Sequence, residues 1–174
     1  MDTLNPFVPS EVCLKCDGCC RFKEEQSEWR PRMSSKESAQ VRQKGLAQEI
    51  FGSDILDDKN FVKTVPGCGE HLCRFFNPIN HACAIYQARP FECQLYPFVL
   101  SKNARGLGVY IHLNCPYVQQ QYRSPQMQIY VDYLKVFLKS PQPRSWIGDN
   151  LSVLHDYSAY QDELELLFLL EDNP

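Results

Sequence analysis

Cys13-x-x-Cys16-x-x-Cys19-Cys20, or CLKCDGCC in one-letter code, places four thiols within eight residues and decides how this chain is interpreted. Two residues between cysteines allow a tight turn to direct both sulfurs at one ion, and backbone N–H groups of such a turn can hydrogen-bond to the thiolates. Gly18 gives the backbone the conformational freedom that this turn needs. The stretch therefore predicts a metal ion or an iron–sulfur cluster at the centre of the fold.

Further cysteines follow the first cluster, at Cys68, Cys73, Cys83, Cys93 and Cys115. Nine cysteines in 174 residues are more than a core of this size would use as small apolar filler. Three of them are spaced ten residues apart, so they lie on successive elements that can converge into a second ligand set with Cys20 or Cys115. Cys68 lies in a Pro-Gly-Cys-Gly turn, which suits a metal ligand and an ordinary turn equally well.

Two metal chemistries fit this cysteine pattern. Zinc requires four thiolates or imidazoles in a closed tetrahedron, which Cys13, Cys16 and a distant pair would supply. A [4Fe–4S] cluster often takes three ligands from C-x-x-C-x-x-C and a fourth from a distant cysteine that precedes proline, as Cys115 does. His71 and His81 lie inside the second cysteine group and are alternative nitrogen ligands. The remaining cysteines allow a second site or a multinuclear one.

The composition limits the class of protein. Apolar residues make up 44% and charged residues 22%, which fits one soluble globular domain, or one domain with a helical extension. The net charge of −3 disfavours a nucleic-acid binder, which would usually present a basic face. The chain begins without a signal-peptide pattern and has no apolar run of the roughly 20 residues that span a bilayer. We therefore expect a cytoplasmic protein that binds neither nucleic acid nor membrane, in which reduced cysteines ligate metal.

Local patterns predict an α+β fold with a small cysteine-rich β-hairpin centre around the metal site and helices packed on it. Ser34-x-x-Glu37 is a capping box, which opens a helical insert at about 34–51. Turn-forming residues at 77–80 and 103–106 predict two β-hairpins.

The C-terminal part of the sequence predicts helices. Ser124 is an N-cap followed by proline, and it opens a helix to about Lys139. The residues expected on its packed side are Ile129, Tyr130, Tyr133, Leu134, Phe137 and Leu138. Ser158 opens a last helix that ends in the run LELLFLL. We therefore expect a cysteine-cluster domain over residues 1–120 and a helical C-terminal extension over 121–174 that packs on it.

The arrangement of the cysteines resembles that of the YkgJ-like cysteine-cluster family, whose members are described as zinc- or iron-chelating domains. The resemblance rests on Cys13-x-x-Cys16-x-x-Cys19-Cys20, on CRFF at 73–76 and on CAIYxxRPxxCxxYPF at 83–98, and it covers roughly 13–116. It implies metal chelation by the matched cysteines, which are Cys13, Cys16, Cys19, Cys20, Cys73, Cys83 and Cys93. A related domain occurs in flagellin lysine-N-methylases, where an iron–sulfur cluster is implied.

Three residues of this motif have side chains that suit a role beside the ligands. Arg89 lies between Cys83 and Cys93, and its guanidinium could balance thiolate charge through charged hydrogen bonds. Tyr86 and Tyr96 could cover the sulfurs while their hydroxyl groups reach a polar partner.

The sequence indicates no catalytic residue of its own. It contains no G-x-S-x-G, Walker loop or G-x-G-x-x-G pattern, so we expect no enzymatic activity from this chain alone. The interpretation we favour is a protein that holds iron or an iron–sulfur cluster in a redox, sensing or accessory role. One alternative is a zinc-stabilised interaction module that binds a protein partner through the leucine-rich C-terminal helix. A second alternative is an accessory domain of a methylase-like modification enzyme.

Overall fold

A computed structural model describes residues 4–16, 18–43, 55–151 and 154–170. The chain divides into two compact units. The cysteine-rich unit is Pro9–Gln94, and the C-terminal unit is Leu95–Pro174 together with Met1–Val8. The division falls at residue 94, whereas we expected a domain boundary near residue 120. None of the described helices is both long and apolar enough to cross a bilayer.

The cysteine-rich unit is built from short elements. In chain order these are α1 (Ser10–Cys13), β1 (Arg21–Phe22), α2 (Ser35–Gln43), β2 (Thr64–Pro66), β3 (His71–Cys73), β4 (Phe76–Asn77), β5 (Ala82–Cys83) and α3 (Phe91–Leu95). An antiparallel sheet has the strand order β1-β3-β2, and β4 pairs with β5 in a separate hairpin. This hairpin confirms the turn expected at 77–80, where Asn77 Oδ1 accepts a hydrogen bond from the N–H of Ile79 at 2.9 Å.

Helix α2 begins at the predicted capping box. The N–H of Glu37 donates to Ser34 Oγ at 3.2 Å, and the N–H of Ser34 donates to the Glu37 carboxylate at 2.8 Å. The expected end of this helix near residue 51 lies outside the described residues. The buried core of the unit consists of Phe22, Met33, Val41, Ile55, Val62, Leu72, Cys73, Phe75, Phe76 and Ile85. Cys20 and Cys83 pack against this core, so these two thiols lie at the edge of the apolar interior.

The C-terminal unit has one three-stranded antiparallel sheet and several helices. Its elements are β6 (Phe98–Asn103), β7 (Gly106–His112), α4 (Pro116–Gln121), α5 (Pro125–Phe137), α6 (Pro141–Asp149) and β8 (Leu164–Leu170). The strand order is β6-β7-β8. The hairpin expected around 103–106 is confirmed, and Gly106 adopts a φ of 108° in its turn, a conformation that favours glycine. Both units contain helices and antiparallel strands, so the predicted α+β class is confirmed.

Helix α5 also begins where the sequence predicts. Ser124 Oγ accepts a hydrogen bond from the N–H of Met127 at 3.1 Å, which is the N-cap bond. The buried face of the helix is formed by Met127, Val131, Leu134 and Phe137. Ile129 was expected on this face but is 70% exposed. Leu134, Phe137 and Leu138 were expected on the packed side and are buried, so the predicted side is confirmed at these residues and wrong at Ile129.

The prediction of a helix at the C-terminal end is wrong. The run LELLFLL is strand β8, which pairs antiparallel with β7, so that Leu164 lies opposite His112 and Leu170 opposite Leu107. Leucine is a good helix former, but β7 offers a row of backbone partners, and this tertiary gain outweighs the local preference. The C-terminal helix that was expected to bind a protein partner and to complete a helical extension over 121–174 is therefore a sheet strand.

Candidate metal centre

The first cysteine cluster starts on a helical turn and ends at a strand. Cys13 is the last residue of α1, and the N–H of Cys16 donates back to the carbonyl of Val12 at 3.0 Å. A side-chain carbon added at Gly18 would lie 3.7 Å from Cys16 Sγ, so this sulfur lies close to the glycine. Cys19 and Cys20 complete a 3-10 turn that leads directly into β1.

The register of the first sheet brings Cys20 towards Cys73. Arg21 of β1 is paired with Leu72 of β3, so the antiparallel register brings Cys20, which directly precedes β1, next to Cys73, the last residue of β3. The hairpin that follows adds Cys83, which is paired with Phe76. Short strand pairs therefore join cysteines that are more than fifty residues apart in the sequence.

The sulfurs of Cys73 and Cys83 accept hydrogen bonds from the backbone. The N–H groups of Phe75 and Phe76 donate to the thiolate form of Cys73, and the N–H of Ile85 donates to that of Cys83. Each donor lies two or three residues after its cysteine. Such N–H groups can orient thiolate ligands around a metal and stabilise their charge.

The cysteines of this unit interact strongly with one another. Burial, with a smaller contribution from the nearby thiolates of Cys83 and Cys19, raises the pKa of Cys73 to about 12. Burial also raises the pKa of Cys93 well above its ordinary value, with added repulsion from Cys73, Cys19 and Cys83. The thiols are therefore protonated at neutral pH in the metal-free chain, and a bound cation would be needed to hold them as thiolates.

Cys19 and Cys20 form a hydrogen-bonded pair. The Cys19 thiol donates to the Cys20 sulfur, and this bond is the main reason that the pKa of Cys19 lies well above its ordinary value. The same bond lowers the pKa of Cys20, but burial and repulsion from Cys73, Cys93 and Cys83 raise it overall. Both members of the pair therefore belong to the same electrostatic cluster as the later cysteines.

Arg89 supplies positive charge to this cluster. Burial raises the pKa of Cys83, whereas the guanidinium of Arg89 lowers it, and Arg89 also lowers the pKa of Cys19. The guanidinium carbon lies 3.9 Å from the centroid of the Tyr86 ring. Its Nε atom is buried and has no hydrogen-bond partner among the described residues. A sulfur acceptor would satisfy this donor, so the residues present fit a thiolate-bound metal.

Tyr86 links Arg89 to the helix that carries the first cysteine. Its hydroxyl donates to Ser10 Oγ at 2.9 Å, and Ser10 begins α1, which ends at Cys13. The hydroxyl thus has the polar partner that we expected, while the covering of the sulfurs by the ring stays a prediction. No local pattern in the sequence indicates this contact of Ser10, because it joins residues 76 positions apart.

The cluster consists of six thiols with described interactions, those of Cys13, Cys19, Cys20, Cys73, Cys83 and Cys93. Cys68 is exposed in the turn between β2 and β3. Cys115 is buried in the C-terminal unit, where it precedes α4. Tyr96 also belongs to that unit, and its hydroxyl lies 3.0 Å from His112 Nδ1.

The clustered sulfurs are neighbours and not a closed coordination shell. Across the described residues, no group of three or more His, Cys, Asp or Glu side chains is arranged so that it could hold a metal ion. His71 and His81, the alternative ligands, are a strand residue and a turn residue with a φ of 53°. The His81 ring packs edge-on against Phe76 at 6.0 Å between centroids.

Comparison with known protein families gives a match. The family model CxxCxxCC, described as a zinc- or iron-chelating domain, matches residues 12–124. The chain belongs to the CxxCxxCC family. The match confirms the resemblance seen in the sequence and spans both the first cysteine cluster and the later cysteines. No curated protein and no solved structure matches the chain. Membership of this family supports metal binding by the chain, with zinc or iron as the metal.

Proposed function

We propose that the cysteine-rich unit of this CxxCxxCC protein holds iron, as an iron–sulfur cluster, and that the chain serves a redox, sensing or accessory role. The observation that carries this proposal is the number of thiols that interact in one unit. Six thiols from five separate segments influence one another's pKa, whereas one tetrahedral ion uses four ligands. The thiols beyond these four suit a multinuclear site, or a cluster beside which some thiols bind no metal.

The chemistry of the donors supports the same proposal. The cluster contains only sulfur ligands, and soft thiolates select iron–sulfur clusters, zinc and Cu(I) over hard cations. Backbone N–H groups at Cys73 and Cys83, together with the unpaired Nε of Arg89, provide donors that would stabilise charged sulfurs. When bound, an iron–sulfur cluster supplies one-electron redox chemistry, and the protein's hydrogen bonds set its potential. The ligands that would hold it come from Cys13, Cys16, Cys19, Cys20, Cys73, Cys83 and Cys93.

A structural zinc site is the second candidate, and the shortness of the strands favours it. The strands of the cysteine-rich unit contain only two or three residues each. Such small sheets provide few ladder bonds, and small domains often depend on a metal for stability. Structural zinc contributes folding free energy directly, so a zinc-stabilised interaction module would account for this architecture. A methylase-like accessory role stays a prediction, and no contact described above bears on it.

Serine substitutions test the proposal. We expect Cys16→Ser and Cys93→Ser to lose bound metal, because a serine hydroxyl remains protonated at neutral pH and is a poor ligand for soft metals. Cys68→Ser is the matched control, since Cys68 is exposed in a turn and its replacement should leave the metal content unchanged. The measurement is metal per chain after purification without oxygen. Full metal content in both Cys16→Ser and Cys93→Ser would defeat the assignment of the site.

A further inference from the structure

The carboxylate of Glu37 joins two helices of the cysteine-rich unit. One oxygen, Oε2, accepts hydrogen bonds from the N–H of Ser34 at 2.8 Å and from Ser34 Oγ at 2.7 Å. The other oxygen, Oε1, accepts a hydrogen bond from the N–H of Phe91 at 2.7 Å. The first pair of bonds closes the capping box of α2, as the sequence predicts. The bond to Phe91 reaches 54 residues along the chain to the first residue of α3.

A second hydrogen bond runs in the opposite direction between the same segments. Glu92 Oε2 accepts a hydrogen bond from the N–H of Arg32 at 2.8 Å. The segment that carries Arg32 is itself well anchored, because Arg32 forms a backbone bridge with Phe61 and its guanidinium lies 4.1 Å from the centroid of that ring. The two reciprocal bonds join the first turn of α3 to α2 and to the segment that carries Arg32.

These bonds matter for Cys93 because it follows Phe91 and Glu92 directly. Helix α3 has five residues, too few to be stable without tertiary contacts. The first N–H groups of a helix have no acceptor within the helix, and a carboxylate is a favourable partner for them. The position of the Cys93 sulfur therefore depends on contacts made by residues outside the cysteine motif.

We propose that Glu37 is a positioning residue for the metal ligand Cys93, acting through the N–H of Phe91. The inference rests on the proposed function, since it requires that Cys93 binds metal. It extends the site to α2, which contains no cysteine and which separates the two cysteine groups in the sequence. The sequence indicated Glu37 only as the capping residue of its own helix, because a bond to Phe91 leaves no local pattern.

The test compares Co²⁺ binding by the full chain and by two variants. Glu37→Ala removes the capping box and the bond to Phe91 together. Ser34→Ala is the matched control, because it weakens the capping box but leaves the bond between Glu37 and Phe91 intact. Co²⁺ bound by thiolates has charge-transfer and ligand-field absorption bands, so a titration gives both the affinity and the ligand geometry. Circular dichroism of the metal-free chains checks that each variant is folded.

We expect Glu37→Ala to bind Co²⁺ about 10–100-fold more weakly than the unaltered chain, the usual effect of removing a group that orients a metal ligand. Ser34→Ala should keep the affinity and the spectrum of the unaltered chain. If Glu37→Ala does not fold, Glu37→Gln decides, since Ser34 and Phe91 donate to different oxygens of the carboxylate and the amide keeps only one of these two acceptors. Equal affinities of the Glu37 and Ser34 variants would overturn the inference alone. Failure of the unaltered chain to bind Co²⁺ would overturn the proposed function and the inference with it.

Discussion

Replacing Cys73 with serine separates the packing of this side chain from its function as a metal ligand. Cys73 is 7% exposed and belongs to the apolar core of the cysteine-rich unit. In the metal-free chain we expect the free energy of unfolding to fall by about 1–3 kcal/mol, because a hydroxyl replaces a thiol in apolar surroundings. This loss is the same whether or not Cys73 ever binds a metal.

The metal-loaded chain should lose considerably more. A ligand present at 1,000 times its dissociation constant stabilises the folded state by about 4 kcal/mol. If Cys73→Ser abolishes tight binding, this stabilisation disappears as well, and the total loss reaches about 5–7 kcal/mol. The difference between the two conditions therefore measures the contribution of Cys73 as a ligand.

Urea unfolding under reducing conditions, with and without a chelator, provides the assay. Trp29 packs against the core of the cysteine-rich unit, so its fluorescence in a Trp146→Phe background reports on that unit. Cys68→Ser serves as the exposed control and should change the stability little in either condition. An equal effect of Cys73→Ser with and without chelator would show that Cys73 is only a core residue and would refute the reasoning.

Three further predictions follow from other contacts. Arg89→Ala should leave the metal content near normal but lower the reduction potential of a bound cluster, since a positive charge beside Cys19 and Cys83 is lost; an unchanged potential in a redox titration would contradict this. Ser124→Ala should cost about 1 kcal/mol in urea unfolding through loss of the α5 N-cap bond. Burial lowers the pKa of His112 in the folded chain, although Glu163 opposes the shift. As the pH drops below about 6.5, the imidazole of the unfolded chain is therefore protonated before that of the folded chain, and the free energy of unfolding should fall. An equally steep fall in His112→Asn would count against this explanation.

Local signals in the sequence were sufficient for much of the fold. The capping box at Ser34 and the N-cap at Ser124 each satisfy backbone N–H groups within three residues, so short-range chemistry specifies where the helices begin. The hairpins at 77–80 and 103–106 depend equally on residues inside their own turns. The cysteine spacing predicted a cluster for the same reason, because two intervening residues limit how far apart neighbouring sulfurs can lie.

Features that depend on long-range contacts could not be predicted in this way. Strand β8 is leucine-rich, and its helix propensity is overridden by pairing with β7. Strand β1 has two residues, too few for an alternating pattern, yet it places Cys20 beside β3. The bond between Glu37 and Phe91 and that between Tyr86 and Ser10 join distant segments, so neither has a local signature. Assembly of the candidate site therefore rests on pairings that the chain acquires only on folding.

Metal analysis combined with a visible spectrum, on one sample of the full chain purified without oxygen, tests the central claim most directly. We expect iron together with acid-labile sulfide, and a broad absorbance that bleaches on reduction with dithionite. Stoichiometric zinc in a colourless sample would replace the iron–sulfur proposal with the structural zinc site. A folded protein that contains neither metal, and that takes up neither when it is supplied, would contradict the claim that these cysteines form a metal centre.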